Sequence, residues 1–412
     1  MHIQNNLESK ISMLVAIFIF FIGLGIGATD TDLKYWISST WFATYAEWFI
    51  IIILSLINYP HMQFTYLYRN NSLTILLSLL WIVVVLASYL LSPFYSWNNP
   101  LALIRLTEIL THFSLFWVLY LTMSHFKINI KLIYFAIILS TFINMLHYIL
   151  FHYFDAYAQL HIPIDVNIRR LGYQAMVTIA FSVGLLFSPL RTDKYIASIS
   201  IIVMFAFVLC LGGRASMVGI LLILIVFLLL LRYIHTLHLT LLFFSGLLLL
   251  GLSLVYIINL DICTFSRAIE RTADATTLNS MSSSRLELWF FVFENLDHYW
   301  LLGTGPQSLF FYPDRNITII HAHNFLIQFL EEWGILGTLL ICALLVIALI
   351  SGFHKHFGTI KKGMYTFNPH FASFLAFASL TVTALFGGVY FFIQPSIYLI
   401  LALVIWTSPN KR

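Results

Sequence analysis

The 412-residue sequence predicts an all-α fold: a polytopic bundle of about 12 membrane-spanning helices forming one domain over 1–412, with one large polar loop at 259–322. Three observations predict it. Hydrophobic residues make up 60% of the chain and charged residues 9%. The mean hydropathy is +0.92. Apolar runs of about 18 residues or more, each enough to cross a hydrocarbon core roughly 30 Å thick, recur over almost the whole length. The formal charge of +4 is spread over short loops rather than gathered into a stripe, which excludes a nucleic-acid partner. Cys210, Cys263 and Cys342 are odd in number and lack metal-ligand spacing, so they suggest neither a disulfide framework nor a zinc site.

The first apolar run, Ile11–Ala28, follows a polar start and has no convincing small-residue cleavage site, so a retained span is expected rather than a signal peptide. Further spans are expected at 41–57, 73–91, 101–122, 129–153, 171–188, 195–212, 216–232, 238–258, 324–350, 370–387 and 389–407. Lysine and arginine in short loops mark the cytoplasmic side. With a cytoplasmic N-terminus, only Lys34 of the lysines falls outside, and the outer segment Asp261–Ile320 contains none. No internal repeat or low-complexity region is present.

That outer segment has its own helix signals. Ser284 and Glu287 form a Ser-x-x-Glu capping box ahead of Leu288–Trp300, which predicts a helix from Arg285. At 100° per residue, Trp289, Val292, Phe293, Leu296 and Trp300 share one face, with Glu287, Glu294 and His298 opposite. Such a helix would lie in the membrane interface with tryptophan at headgroup level. Gly303-Thr304-Gly305-Pro306 then makes a turn.

Charged groups at membrane depth are costly, about 2.5–3.5 kcal/mol each on insertion scales, so each invites an explanation. Arg214, in Gly212-Gly213-Arg214-Ala215-Ser216, stands between two spans at their outer ends, where the glycines would let a phosphate approach; a snorkelling loop arginine is the plain alternative. Arg285 opens the interfacial helix, where free N–H groups attract anions, or is a surface arginine. Arg169 and Arg170 are a third outer basic site, or topology determinants. Arg105, Glu108 and His112 line one face of the fourth span and can satisfy one another, and Glu47 in the second span is similar. Asp30 and Asp32 are a weak candidate pair for a divalent metal.

His321 and His323 alternate before the next span, a spacing that would not bring both rings to one ligand. Alone, either is a hydrogen-bonded interfacial side chain. With arginines on the same side, a histidine whose ordinary pKa is near 6.5 can take a proton from a hydroxyl while the cations hold an anion.

His323-Asn324, then nine residues, then Gly334-Ile335-Leu336-Gly337 resembles the H-N/S/Q-x9-G-x-x-G signature of the O-antigen ligase superfamily. Trp300–Pro306 is similar to the segment ahead of that family's histidine. The resemblance is strong over the outer loop and its flanking spans, moderate over Gly212–Ser216, and one of hydropathy alone in the first 160 residues. It implies a GT-C-type glycosyltransferase that moves a glycan from undecaprenyl diphosphate to lipid A core oligosaccharide on the periplasmic side of the bacterial inner membrane. No metal or other cofactor is implied. The implied catalytic residue is His323; Arg214 and Arg285 would bind the diphosphate, with Arg169, Arg170, His321 and Asn324 in support. Trp289 stands where the family's R-x3-L pattern has leucine.

O-antigen polymerases and protein O-oligosaccharyltransferases share this signature. Polymerases tend to carry two comparable outer loops, whereas here Asp155–Arg170 is short beside Asp261–Ile320. The oligosaccharyltransferases usually have a sizeable C-terminal region, and this chain ends five residues after its last expected span. A transporter of lipid-linked glycan or small anions would call for interrupted helices paired between two halves. Gln394-Pro395 has no symmetric counterpart, so a ligase is expected.

Overall fold

A computed structural model of the chain describes residues 2–25, 33–61, 64–92, 99–153, 167–231, 245–247, 249–253, 255, 285–297, 299–310, 321–363 and 368–409. Among the described residues the regular structure is helical, without strands. The longer helices are α1 His2–Gly23, α2 Leu33–Asn58, α3 Phe64–Leu90, α4 Pro100–His125, α5 Ile130–Tyr153, α6 Ile168–Leu185, α7 Arg191–Leu211, α8 Arg214–Leu231, α9 Arg285–Leu296, α10 Phe325–Gly363, α11 Pro369–Ala384 and α12 Ile393–Thr407. Seven are long and apolar enough to cross a membrane, within α1–α5, α7 and α10, and three shorter apolar helices lie in α8, α11 and α12. The expected run at 238–258 falls largely outside the described residues, as do most of the 259–322 loop and the Asp30–Asp32 pair.

Helix α6 belongs to neither group, and its setting explains why. Every residue from Arg170 to Leu185 is buried, with α5, α7, α8 and α11 packed around it. A helix enclosed by protein can carry the polar residues Gln174 and Thr178, because other helices satisfy them: Thr178 Oγ1 lies 2.7 Å from Thr141 Oγ1. Gln174 and its neighbours show how. The Gly23 carbonyl, at the end of α1, accepts from Asn144 Nδ2 at 2.7 Å, Gln174 Nε2 at 2.8 Å and Gln394 Nε2 at 2.6 Å. One helix terminus thereby ties α1 to α5, α6 and α12. Gly172 lets the start of α8 come close: a Cβ there would lie 2.6 Å from Ser216 Oγ. On the outside, Leu76, Leu79 and Val83 of α3 are exposed, an apolar face suited to lipid.

The expected charged face of α4 is present and larger than the sequence suggested. Arg105 Nη1 lies 3.2 Å from Glu108 Oε2, His112 Nδ1 2.7 Å from Glu47 Oε2, and His112 Nε2 3.7 Å from Glu108 Oε1. Helix α10 adds Glu332, 3.7 Å from Arg105 Nε.

Helix α10 breaks at Gly334, whose φ of 63° and ψ of −170° are non-helical. An unbroken helix would join the Glu331 carbonyl to the Ile335 amide and the Glu332 carbonyl to the Leu336 amide. The segment around Gly303 intercepts both pairs. Thr304 N donates to Glu331 O at 2.8 Å and Gly305 N to Glu332 O at 3.1 Å. Ile335 N donates to Trp300 O at 2.8 Å and Leu336 N to Leu301 O at 3.3 Å. Two main chains can cross this closely only without side chains: a Cβ on Gly303 would lie 2.5 Å from Glu331 O, and one on Gly334 2.3 Å from Leu301 O.

One sequence expectation about cysteine is corrected. Cys342 is free, but Cys210, near the end of α7, is disulfide-bonded. An odd count with no regular spacing excludes a framework of bridges, not a single bridge between segments that meet only in space.

Gly334→Ala is expected to lower the thermal unfolding midpoint of the detergent-solubilised protein. An alanine held at this φ and ψ, a region confined essentially to glycine, costs about 1–3 kcal/mol before its Cβ meets the Leu301 carbonyl. A melt matching wild type would mean that the crossing does not constrain the fold.

Candidate active site

The site begins with the turn that leads into α10. Asn324 caps that helix, its Oδ1 accepting from Leu326 N at 2.9 Å and Ile327 N at 3.3 Å. His323, just before the cap, has a φ of 56°. Non-glycine residues rarely adopt this left-handed conformation, and it persists where the surroundings hold it.

The turn brings together two rings that the sequence spacing had separated. The His321 and His323 ring centroids are 3.9 Å apart with the planes at 63°. His321 is buried and stacks on Phe391 at 4.5 Å. Its Nδ1 accepts the His323 amide N–H at 3.3 Å, which assigns the proton of the neutral ring to Nε2. Between the two, Ala322 is held from both sides. Its N–H donates to Gln328 Oε1 at 2.6 Å, and its carbonyl accepts from Trp289 Nε1 at 2.8 Å. Trp289 is the residue that departs from the R-x3-L pattern, and a leucine could not make this bond.

Helix α9 is described from Arg285 to Leu296, within the stretch the sequence predicted to be helical; Ser284, the other half of the capping box, lies outside the described residues. Its buried side is Leu288 and Val292 rather than the whole predicted face. Phe293 and Trp300 are exposed, and the helix has ended before Trp300. The inward face is set by packing on Leu309, Ala322 and Ile327, which the helical periodicity alone does not identify.

Three helices present arginine at their N-terminal ends: Arg169 on α6, Arg214 on α8 and Arg285 on α9. Helix N-termini carry partial positive charge, so cations there oppose the dipole. The outcome is concentrated positive potential. Arg285, half-buried and donating through Nη1 to the Phe386 carbonyl, is held below the usual guanidinium range by burial and by the Arg169 and Arg214 charges. No carboxylate forms a salt bridge with Arg169 or Arg285 among the described residues.

Burial, then Arg169 and Arg285, push the His323 imidazole down to about 3. Its buried Nδ1 has no hydrogen-bond partner among the described residues. His321 lies well below its usual value through burial, then the neighbouring His323, Arg169, Arg105 and Arg285. The structure therefore brings His323, His321, Arg169, Arg285 and Arg214 into one electrostatic group. Arg169, expected only in support, acts on His323 directly, whereas Arg214 enters through Arg285. Arg170 is buried, with its guanidinium 5.4 Å from the Phe392 ring centroid, and Phe392 in turn lies 5.7 Å from the His321 ring.

Sequence reasoning missed Gln328, Glu331 and Glu332. Glu332 Oε1 accepts from Gln307 N at 3.1 Å and Gln328 Nε2 at 2.8 Å. Glu331 Oε1 accepts from Thr304 Oγ1 at 2.9 Å and from Ser308 Oγ. Two adjacent carboxylates inside an apolar run were the available signal. A cavity of about 190 Å³ between α3, α4, α10 and α12 is lined by Trp81, Phe113, Arg105, Tyr390 and mostly apolar neighbours. Neither His323 nor Arg169, Arg214 or Arg285 lines it, so the chemistry-bearing groups lie elsewhere. Among the described residues no cluster of three or more ligating side chains could hold a metal.

Residues 199–342 match the family model described as O-Antigen ligase. The matched stretch contains Arg214, Arg285, the histidine turn, the Gly334 break and Glu332, and excludes Arg169 and Arg105. No curated protein matches the chain.

Arg169→Gln is expected to raise the His323 pKa, and Arg285→Gln to raise it by less, since Arg169 is the stronger of the two charge effects. Neither restores the ordinary value, because burial remains the largest cause. NMR titration of histidine-labelled protein in detergent measures this. An unmoved His323 in Arg169→Gln would place that guanidinium out of reach.

Proposed function

We propose that the chain, whose residues 199–342 match the family model described as O-Antigen ligase, transfers glycan from undecaprenyl diphosphate to lipid A core oligosaccharide at the periplasmic face of the inner membrane. The observation that carries this reading is the Nδ1 of His323, unpartnered among the described residues, lying in the field of two arginines that no described carboxylate neutralises. Arg285 and Arg214, with Arg169, hold the diphosphate. Each charge-assisted hydrogen bond contributes about 1.5–3 kcal/mol.

The acceptor hydroxyl attacks the anomeric carbon from the face opposite the diphosphate, so the configuration inverts. The new C–O bond forms as the sugar–phosphate bond breaks, and undecaprenyl diphosphate leaves as an anion stabilised by the guanidinium groups. The hydroxyl proton passes to His323. The bridge at Cys210 supports the orientation, because disulfides persist in oxidising compartments such as the periplasm, and Arg214 lies four residues beyond it.

The arginines also give His323 a built-in dependence on substrate. In the free protein their charge helps keep it a weak base. A bound diphosphate cancels that field and raises its basicity where the proton must be taken. kcat/KM, which reports the free protein, is therefore expected to lose nothing to His323 protonation until the pH approaches about 3. kcat, which reports the bound complex, should fall with acid at a distinctly higher pH. Coincident acid limbs would contradict the coupling.

Reconstitution with undecaprenyl diphosphate-linked glycan and core oligosaccharide, with and without chelator, tests the function. His323→Ala is expected to slow transfer by about 10²–10⁴-fold without loss of membrane insertion. Normal transfer by that variant would remove the base, and loss of activity in chelator would return Asp30 and Asp32 to consideration as metal ligands. Glycan joined to core identifies a ligase, while lengthening of the lipid-linked chain identifies a polymerase.

A further inference from the structure

Stability alone gives little reason for the Arg105–Glu332 pair. Both side chains are buried, Arg105 at 1% and Glu332 at 0% exposure, and replacing buried ion pairs by well-packed apolar residues is often neutral or stabilising. Two chains of contact run from the pair, however, and both end on the histidine turn.

One runs through α10. Glu332 Oε1 accepts from Gln328 Nε2 at 2.8 Å, and Gln328 Oε1 accepts from Ala322 N at 2.6 Å. This amide lies between the two histidines, so its bond fixes the strand of chain from which His323 takes its left-handed φ. The other chain runs through the loop before α12. Arg105 Nη2 donates to the Tyr390 carbonyl at 3.2 Å, and its guanidinium carbon lies 5.5 Å from the Phe391 ring centroid. Phe391 stacks on His321, which accepts the His323 amide.

We infer that Arg105 and Glu332, joined across α4 and α10, are positioning residues that hold the His321–His323 turn from two sides and fix the direction of the His323 ring. The inference rests on His323 being the base. Neither residue reaches the reacting atoms; they act through Gln328 and Phe391. A shift of about 1 Å in a reacting group can cost on the order of 10²-fold in rate, so a brace this deep in the protein has leverage on the chemistry.

The test compares Gln328→Leu, Glu332→Leu, Glu332→Gln and His323→Ala in full-length reconstituted protein, using undecaprenyl diphosphate-linked glycan and core oligosaccharide. kcat, KM and the thermal midpoint are measured for each. Gln328→Leu and Glu332→Leu should lower kcat by about 10²-fold with little change in donor KM. Glu332→Gln keeps an acceptor oxygen for Gln307 N and Gln328 Nε2 and should recover most of that loss. The double variant Gln328→Leu/His323→Ala should be no slower than His323→Ala alone, since a brace cannot misplace a base that is absent. A double variant slower than His323→Ala, or rates that follow the thermal midpoint with no recovery in Glu332→Gln, would assign a purely structural role and overturn the inference. Full kcat in Gln328→Leu beside an inactive His323→Ala would overturn the positioning role and leave the base intact. Full activity in His323→Ala would remove the base itself.

Discussion

Backbone hydrogen bonding in a low-dielectric setting governs the half of the molecule that carries the site. An amide or carbonyl left without a partner in hydrocarbon costs several kcal/mol, so a helix can be broken there only if something else supplies its bonds. At Gly334 the Trp300–Gly305 segment supplies them, taking over the Glu331 and Glu332 carbonyls and the Ile335 and Leu336 amides. Everything polar nearby depends on this crossing. It carries Thr304 and Ser308 to the Glu331 carboxylate and the Gln307 amide to Glu332. Above the break, the first turns of α10 therefore serve as a rigid support for Asn324 and the histidines.

On that support the chain assembles an arrangement that is unfavourable by itself. Arginines stand at positive helix ends: Arg169 and Arg214 depress Arg285, and Arg169 and Arg285 depress His323. Such a collection of like charges is tolerable because Arg169 and Arg214 are exposed and water screens them. It becomes favourable when a dianion enters.

The buried network of Glu47, His112, Glu108, Arg105 and Glu332 complements this arginine group. Opposite charges are interleaved there, with α2 joined to α4 at 2.7 Å and α10 to α4 at 3.7 Å. The cations of the first group are exposed or half-buried, while the pairs of the second are buried.

Much of this was legible in the residues themselves. Apolar runs long enough to span a bilayer marked the helices, and the face shared by Arg105, Glu108 and His112 was readable because helical spacing is local. Ser284 and Glu287 marked a helix over the residues of α9, and His323-Asn324 with Gly334 and Gly337 carried the resemblance to the O-antigen ligase family. What sequence could not settle depends on distant segments. Whether α6 touches lipid or protein is decided by its neighbours, which is why its buried polar residues look anomalous in isolation. The contact of the two histidine rings follows from a single left-handed φ, the prominence of Arg169 from its reach to His323 and Arg285 on other segments, and the link from Glu332 to the histidine turn from side chains that meet only after the chain has folded. Hydropathy and spacing, being local, determined the elements and the candidate groups; tertiary packing alone decided which of those groups share one electrostatic field.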